Sequence, residues 1–284
     1  MKQLRIISLI CALCLFLSAC ASQQPEDGSS TEPPNTVRIT IPEGASAADI
    51  GGLMEQNGLF TRSEFLAEVN RGNADSPLVQ EIGDWENRAF LLEGYLFPDT
   101  YEFYRDDSPE RVIQKLLDNL EKKITGTQKA RAKEFDMTMD EVLTLASIIQ
   151  AEAGDPAQMK TVSSVLHNRL NSKSHPKLEC DVTIFYLEQE VQPYLTEDKD
   201  RFNSFYNTYK YTGLPEGPIC NPGMDAINAA LNPEQTDYFY FATDKAGKYY
   251  YAKTLAEHQK NWNAIKKVNA ALTTAAQANT NADD

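Results

Sequence analysis

The sequence predicts an α+β protein. A small N-terminal module of one strand and two helices precedes a larger mixed α+β domain. Three observations carry this reading. Val37-Arg38-Ile39-Thr40-Ile41 alternates apolar and polar residues, the period of a half-buried strand. Thr138 and Glu141 form a capping box ahead of Leu145, Ile148, Ile149 and Glu152, which share one helical face at offsets 0, 3, 4 and 7. Tyr238–Thr243 and Lys248–Ala252 flank Asp244-Lys245-Ala246-Gly247, a hairpin pattern. No internal repeat interrupts these elements.

The N-terminus stands apart from them. Lys2 and Arg5 precede an apolar run from Ile6 to Ala19, too short for a membrane span. The run ends in Leu17-Ser18-Ala19-Cys20, which resembles a bacterial lipobox, so residues 1–19 are expected to be a signal and Cys20 a lipidation site. An ordinary cleaved signal and an uncleaved anchor are the alternatives. Residues 20–36 are rich in Ser, Pro and Glu and read as a disordered tether to a membrane. Lys+Arg total 27 against Asp+Glu 41, a net charge of −14, which argues against a nucleic-acid partner. Cys180 and Cys220 are the cysteines left beyond Cys20, and whether they pair stays open.

Within residues 37–90 the strand is followed by the turn Pro42-Glu43-Gly44. Ser46 and Asp49 cap a helix carrying Ile50, Leu53 and Met54, and Gly58 ends it. Thr61-Arg62-Ser63 opens a second helix with Phe65, Leu66 and Val69. This order resembles a LysM-like module, which would bind N-acetylglucosamine polymers. A simple packing arm fits equally well.

The larger domain is expected over residues 91–272. Leu92–Phe103 reads as a hairpin or linker strand around Pro98-Asp99. Ser108-Pro109 opens a helix buried through Val112, Leu116, Leu117 and Leu120. The capped helix from Thr138 then ends at Glu152, just before Gly154-Asp155-Pro156, and Met159–Leu170 forms the next. Asp181 is a natural N-cap. Gly213–Gly223 (GLPEGPICNPG) is a rigid loop of a kind that suits sugar binding, or that only shapes turns. Asp225–Leu231 is a short helix. Thr254 and Glu257 cap a last helix through His258, Trp262, Ile265 and Val268, and residues 273–284 are expected to fray.

Glu152 is the residue this pattern singles out. A carboxylate on an apolar stripe is costly to desolvate unless it is paired or has a chemical task. Burial and the negative end of the helix dipole both raise its pKa, as a general acid requires. A solvated helix end is the alternative. Gln150, two residues earlier, offers no competing carboxylate.

Several segments together resemble one family, the endolytic murein transglycosylases of MltG-like or YceG-like type. They are LEGYLFPDTYEF at 92–103, ASIIQAE at 146–152, VLHNRL at 165–170, the Asp181/Thr183/Tyr186 pattern, YNTY at 206–209, GLPEGPICNPG at 213–223 and the aromatic hairpin running to His258. The resemblance implies a lytic transglycosylase that cleaves peptidoglycan glycan strands to 1,6-anhydro-N-acetylmuramic acid ends, with Glu152 as catalytic residue. It needs no cofactor or metal, and it places the protein near peptidoglycan synthases. The matching motifs make Asn168, Arg169, Asp181, Thr183 and Tyr186 candidates for substrate binding. Tyr206, Asn207, Thr208 and Tyr209 join them. So do Gly213, Leu214, Pro215, Gly217, Pro218, Asn221 and Gly223 of the loop. Three rivals stay open: a glycosidase using Asp181 as second carboxylate, a cysteine peptidase using Cys180 or Cys220 with His167 or His175, and a non-catalytic peptidoglycan-binding lipoprotein.

Overall fold

A computed structural model describes residues 35–72, 74–83 and 85–280. The expectations for residues 1–34, Cys20 among them, lie outside the described residues. From Asn35 on, the described residues form a single compact unit of mixed helix and strand.

Strand β1 (Thr36–Thr40) is the predicted N-terminal strand, and it buries Ile39. Helices α1 (Ala47–Gln56) and α2 (Arg62–Val69) follow, each opened by a capping box, from Ser46/Asp49 and Thr61/Glu64. Strand β2 (Thr100–Tyr104) then returns to pair antiparallel with β1, from Thr36↔Tyr104 to Thr40↔Thr100. Tyr101 and Phe103 face the core. Leu92–Phe97 is not a strand, contrary to the hairpin reading. It forms tight buried turns, with Gly94 in the left-handed region at φ 86°. A Cβ at Gly94 would lie 2.3 Å from Pro218 Cγ, so the turn and residue 218 touch backbone to ring.

Helices α3 (Pro109–Lys123) and α4 (Gly126–Glu134) lead to α5 (Met139–Glu152), capped by Thr138 and Glu141 as the sequence predicts. Every residue from Val142 to Ile149 is buried, so α5 is enclosed on all sides and runs through the core. It packs against α6 (Met159–Leu170) and α9 (Met224–Leu231). Short helices α7 (Val182–Phe185) and α8 (Asn203–Tyr206) lie between. Strands β3 (Tyr240–Thr243) and β4 (Tyr249–Ala252) form the predicted hairpin, paired from Tyr240↔Ala252 to Thr243↔Tyr249. Helix α10 (Leu255–Thr280) packs on both strands and runs past Thr273, beyond the point where fraying is expected. Among the described residues, no helix is long and apolar enough to cross a membrane.

Candidate active site

Glu152 is the last residue of α5, and the chain leaves the helix at Ala153. Tyr249 from β4 secures this corner. Its hydroxyl accepts from Gly154 N at 3.0 Å and donates to Glu152 O at 3.3 Å. The stripe below, Leu145, Ile148 and Ile149, is fully buried, while Glu152 itself is half-buried. Its side chain opens into a cleft of about 600 Å³. Desolvation, and secondly the nearby charge of Asp181, push its pKa up to about 7, against a thiol donor from Cys180. Near neutral pH the carboxyl is therefore balanced between its protonated and ionised forms, the condition for passing a proton in both directions.

The facing wall is the segment 178–185. Asp181 occupies the N-cap position of α7 but makes no capping bond, contrary to the N-cap reading. Its Oδ1 accepts instead from Tyr209 OH at 2.7 Å. The segment is held by a knot of hydroxyls. Thr208 Oγ1 accepts from Cys180 N at 2.9 Å, and Thr183 Oγ1 donates to Cys180 O at 2.8 Å. Thr183 and Thr208 are thus buried supports behind the wall, with no opening to the cleft.

Arg169 lines the cleft but is committed to the scaffold. It donates to Lys177 O at 2.8 Å, to Phe239 O at 2.9 Å and to the Glu179 carboxylate. It thereby ties α6 to the wall and to the aromatic hairpin. Asn168 points elsewhere, with its amide donating to Thr236 O and Tyr238 O, both at 2.9 Å.

The loop Gly213–Gly223 does not face Glu152. Ile219 N donates to Ser147 Oγ at 3.0 Å and Gly223 N to Gln150 Oε1 at 3.0 Å. Those residues lie roughly 140–200° around α5 from Glu152. The loop, Tyr186 and Tyr206 instead enclose a second carboxylate, Glu93. This side chain is fully buried and accepts from Ala47 N at 2.9 Å, from Asn221 Nδ2 at 2.8 Å and from Tyr186 OH at 3.3 Å. Ala47 is the first residue of α1, so Glu93 caps that helix from a distance. Burial still raises its pKa to about 8. Gly217 lies against Arg88 and the Tyr206 hydroxyl, and that hydroxyl accepts from Ala89 N at 3.3 Å. Gly213, Leu214 and Pro215 border a different groove, beside His167 and Asp140. Asn207 holds its own turn by accepting from Tyr209 N at 3.0 Å.

Cys180 and Cys220 are both free and buried, so the open question of a disulfide resolves to two thiols. Burial pushes both well above the ordinary thiol range, the wrong direction for a nucleophile. His167 contacts Phe135 and Ala230 O, and His175 contacts Tyr240 OH and Phe239. Neither cysteine peptidase pairing is assembled.

Cleft residues that sequence reasoning missed are Phe185, Tyr240, Leu255, His258 and Trp262. One signal was present. His258 and Trp262 stand four apart on a predicted helix and so share a face.

The chain is 33% identical to the endolytic murein transglycosylase of Bacillus subtilis over 230 residues, covering 78% of this chain and 63% of that protein. It is 31% identical to the endolytic murein transglycosylase of Streptococcus pneumoniae, covering 83% of this chain and 46% of that one. It thus spans less than two thirds of either relative's length. A YceG-like protein from Listeria monocytogenes, known from a crystal structure, superposes with a TM-score of 0.66 at 31% identity, over 78% of this chain and 75% of that one. The family described as YceG-like matches residues 23–264, which takes in α5, the wall and the hairpin together. This chain belongs to the YceG-like family.

Proposed function

We propose that this protein is a lytic transglycosylase that cleaves peptidoglycan glycan strands with Glu152 as its acid and base. The single observation that carries the reading is a carboxyl balanced near pH 7 at the edge of an open cleft. Protonated Glu152 gives its proton to the glycosidic oxygen between N-acetylmuramic acid and N-acetylglucosamine. The C1–O bond breaks, leaving an oxocarbenium-like C1. The C6 hydroxyl of the same muramic ring then attacks C1 and gives its proton to the Glu152 carboxylate. The product is a 1,6-anhydro ring, no water is consumed, and the acid is regenerated. The charge of Asp181 adds to desolvation in holding the Glu152 pKa near neutrality, and the Asp181 oxygen is oriented by Tyr209. Of the substrate-binding candidates, Arg169, Asp181 and Tyr209 border the cleft and are proposed to meet the glycan. Of the others, Thr183 and Thr208 support the wall, and the rest, among them Tyr186, Tyr206 and the loop 213–223, lie away from this cleft.

The order β1, α1, α2, β2, with its two strands paired, supports a LysM-like module at the N-terminus. It would close at Tyr104 instead of residue 90. Export, lipid anchoring at Cys20 and contact with peptidoglycan synthases belong to this proposal and rest on the leader sequence and the resemblance.

The test is mass spectrometry of purified glycan strands digested by the parent and by Glu152→Gln. Anhydro-ended fragments from the parent alone are expected. The closeness of Asp181 to Glu152 favours a second reading, hydrolysis with Asp181 activating water. Reducing ends in place of anhydro ends would establish that reading and overturn the first.

A further inference from the structure

The Glu152 cleft carries a feature that proton transfer does not use. Four large apolar side chains on its lining remain open to solvent: Phe185 at 49%, Tyr209 at 43%, Leu255 at 55% and Trp262 at 45%. Such residues scattered singly are ordinary, but four around one carboxyl mark a binding surface. They come from different elements, α7, the turn after α8, and α10.

Two of these rings are fixed by their polar atoms. Trp262 Nε1 donates to His258 Nε2 at 3.0 Å, one turn back along α10. His258 in turn stacks on Tyr240, with centroids 5.1 Å apart and planes at 25°. Burial and the Arg169 charge hold the His258 pKa below its ordinary value, which keeps the imidazole neutral and able to accept the indole proton. Tyr209 is pinned by its bond to Asp181. A ring already held in one rotamer loses little entropy when a ligand stacks on it.

The charge of the cleft narrows the ligand. Glu152, Glu179 and Asp181 line it, and its one guanidinium, Arg169, is paired with Glu179. An anion is disfavoured there. An uncharged pyranose ring offers a C–H face to an aromatic ring and hydroxyls to the carboxylates.

We propose that Trp262 and Tyr209 are stacking platforms that bind the glycan through the apolar faces of its N-acetylated sugar rings, with Phe185 and Leu255 extending the surface. The inference rests on the transglycosylase reading for its substrate, but the platform is testable without turnover.

The protein has two tryptophans, so Trp85→Phe leaves Trp262 as the sole indole. In the Trp85→Phe/Glu152→Gln protein, titration with tetra-N-acetylchitotetraose is expected to shift Trp262 emission to the blue, saturably. Adding Tyr209→Ala is expected to raise the apparent Kd about ten-fold. On purified peptidoglycan, Trp262→Ala is expected to raise KM about ten-fold with kcat kept, and Trp262→Phe to restore KM. No emission change at any sugar concentration, together with an unchanged KM in Trp262→Ala, would overturn the proposal. The two readings fail separately. Anhydro ends from a Trp262→Ala enzyme with parental KM would remove the platform and leave the chemistry. A saturable Trp262 shift in a protein that makes no anhydro ends would remove the chemistry and leave the platform.

Discussion

Glu93 is fully buried and Glu152 partly so, and both have raised pKa values, about 8 and about 7. Their surroundings differ in kind. Glu93 sits in a closed pocket where a helix amide, a side-chain amide and a phenol all donate to it. Glu152 stands at the mouth of a cleft beside the Cys180 thiol and a second carboxylate. A raised pKa therefore does not by itself mark chemistry. Access and unspent bonding capacity do, and only Glu152 has them. Glu93 works as a joint.

The largest expected effect tests that assignment directly. Glu152→Gln should lower transglycosylase activity by at least 10²–10⁴-fold, the range for a lost general acid. Its melting temperature should not fall, because an amide at this position removes a desolvation cost. A variant that retained anhydro-forming activity would sink the assignment.

Glu93→Ala should do the opposite. It leaves Ala47 N, Tyr186 OH and one N–H of Asn221 without an acceptor in the interior, a loss of about 3 kcal/mol in chemical denaturation. Activity per folded molecule should stay near the parent value. Loss of turnover at full stability would mean that Glu93 is more than a joint.

Asp181→Asn removes the like charge beside Glu152 while keeping an oxygen for Tyr209 to bond. Glu152 should then ionise at lower pH. The alkaline limb of the kcat/KM profile is expected to move to lower pH, with the acid-side rate retained. An unmoved limb would show that Asp181 does not set the acid.

The smallest effect is on stability against pH. Both glutamates bind their protons more tightly folded than unfolded, where the value is near 4.5. The native state thus holds more protons between about pH 4.5 and 8, and stability falls as pH rises through that window. Glu93→Gln should flatten the slope of melting temperature against pH. Glu152→Gln should flatten it less, since its pKa is raised less.

How legible this was from the chain follows from the range of each interaction. Helix α5 and its cap could be read because periodicity and capping boxes are local, and Glu152 stood out as the charge on an apolar stripe. The caps at Ser46 and Thr254 were legible for the same reason. The loop Gly213–Gly223 could not be assigned to a face, because Gly and Pro reveal a rigid turn and not what it lies against. Asn221 has the chemistry of a sugar-binding amide, yet its three bonds go to Ala45, Leu96 and Glu93. Asp181 obeyed a local rule for N-caps, and the rule lost to a phenol 28 residues away. Trp262 was visible as a helix residue but not as a cleft residue, since α10 reaches the cleft only by packing on the hairpin.

The bonds of Asn221 also bear on how the chain folds. They join residue 221 to residue 45 across 176 positions, and they complete the shell of the carboxylate that caps α1. An N-terminal fragment ending before Asn221 would have a buried glutamate short of a donor and an open seam along α5. The surroundings of the first helix are therefore complete only once the segment around Asn221 is in place. Such a contact closes only after a long loop has been brought together, an entropic cost that is met late in folding.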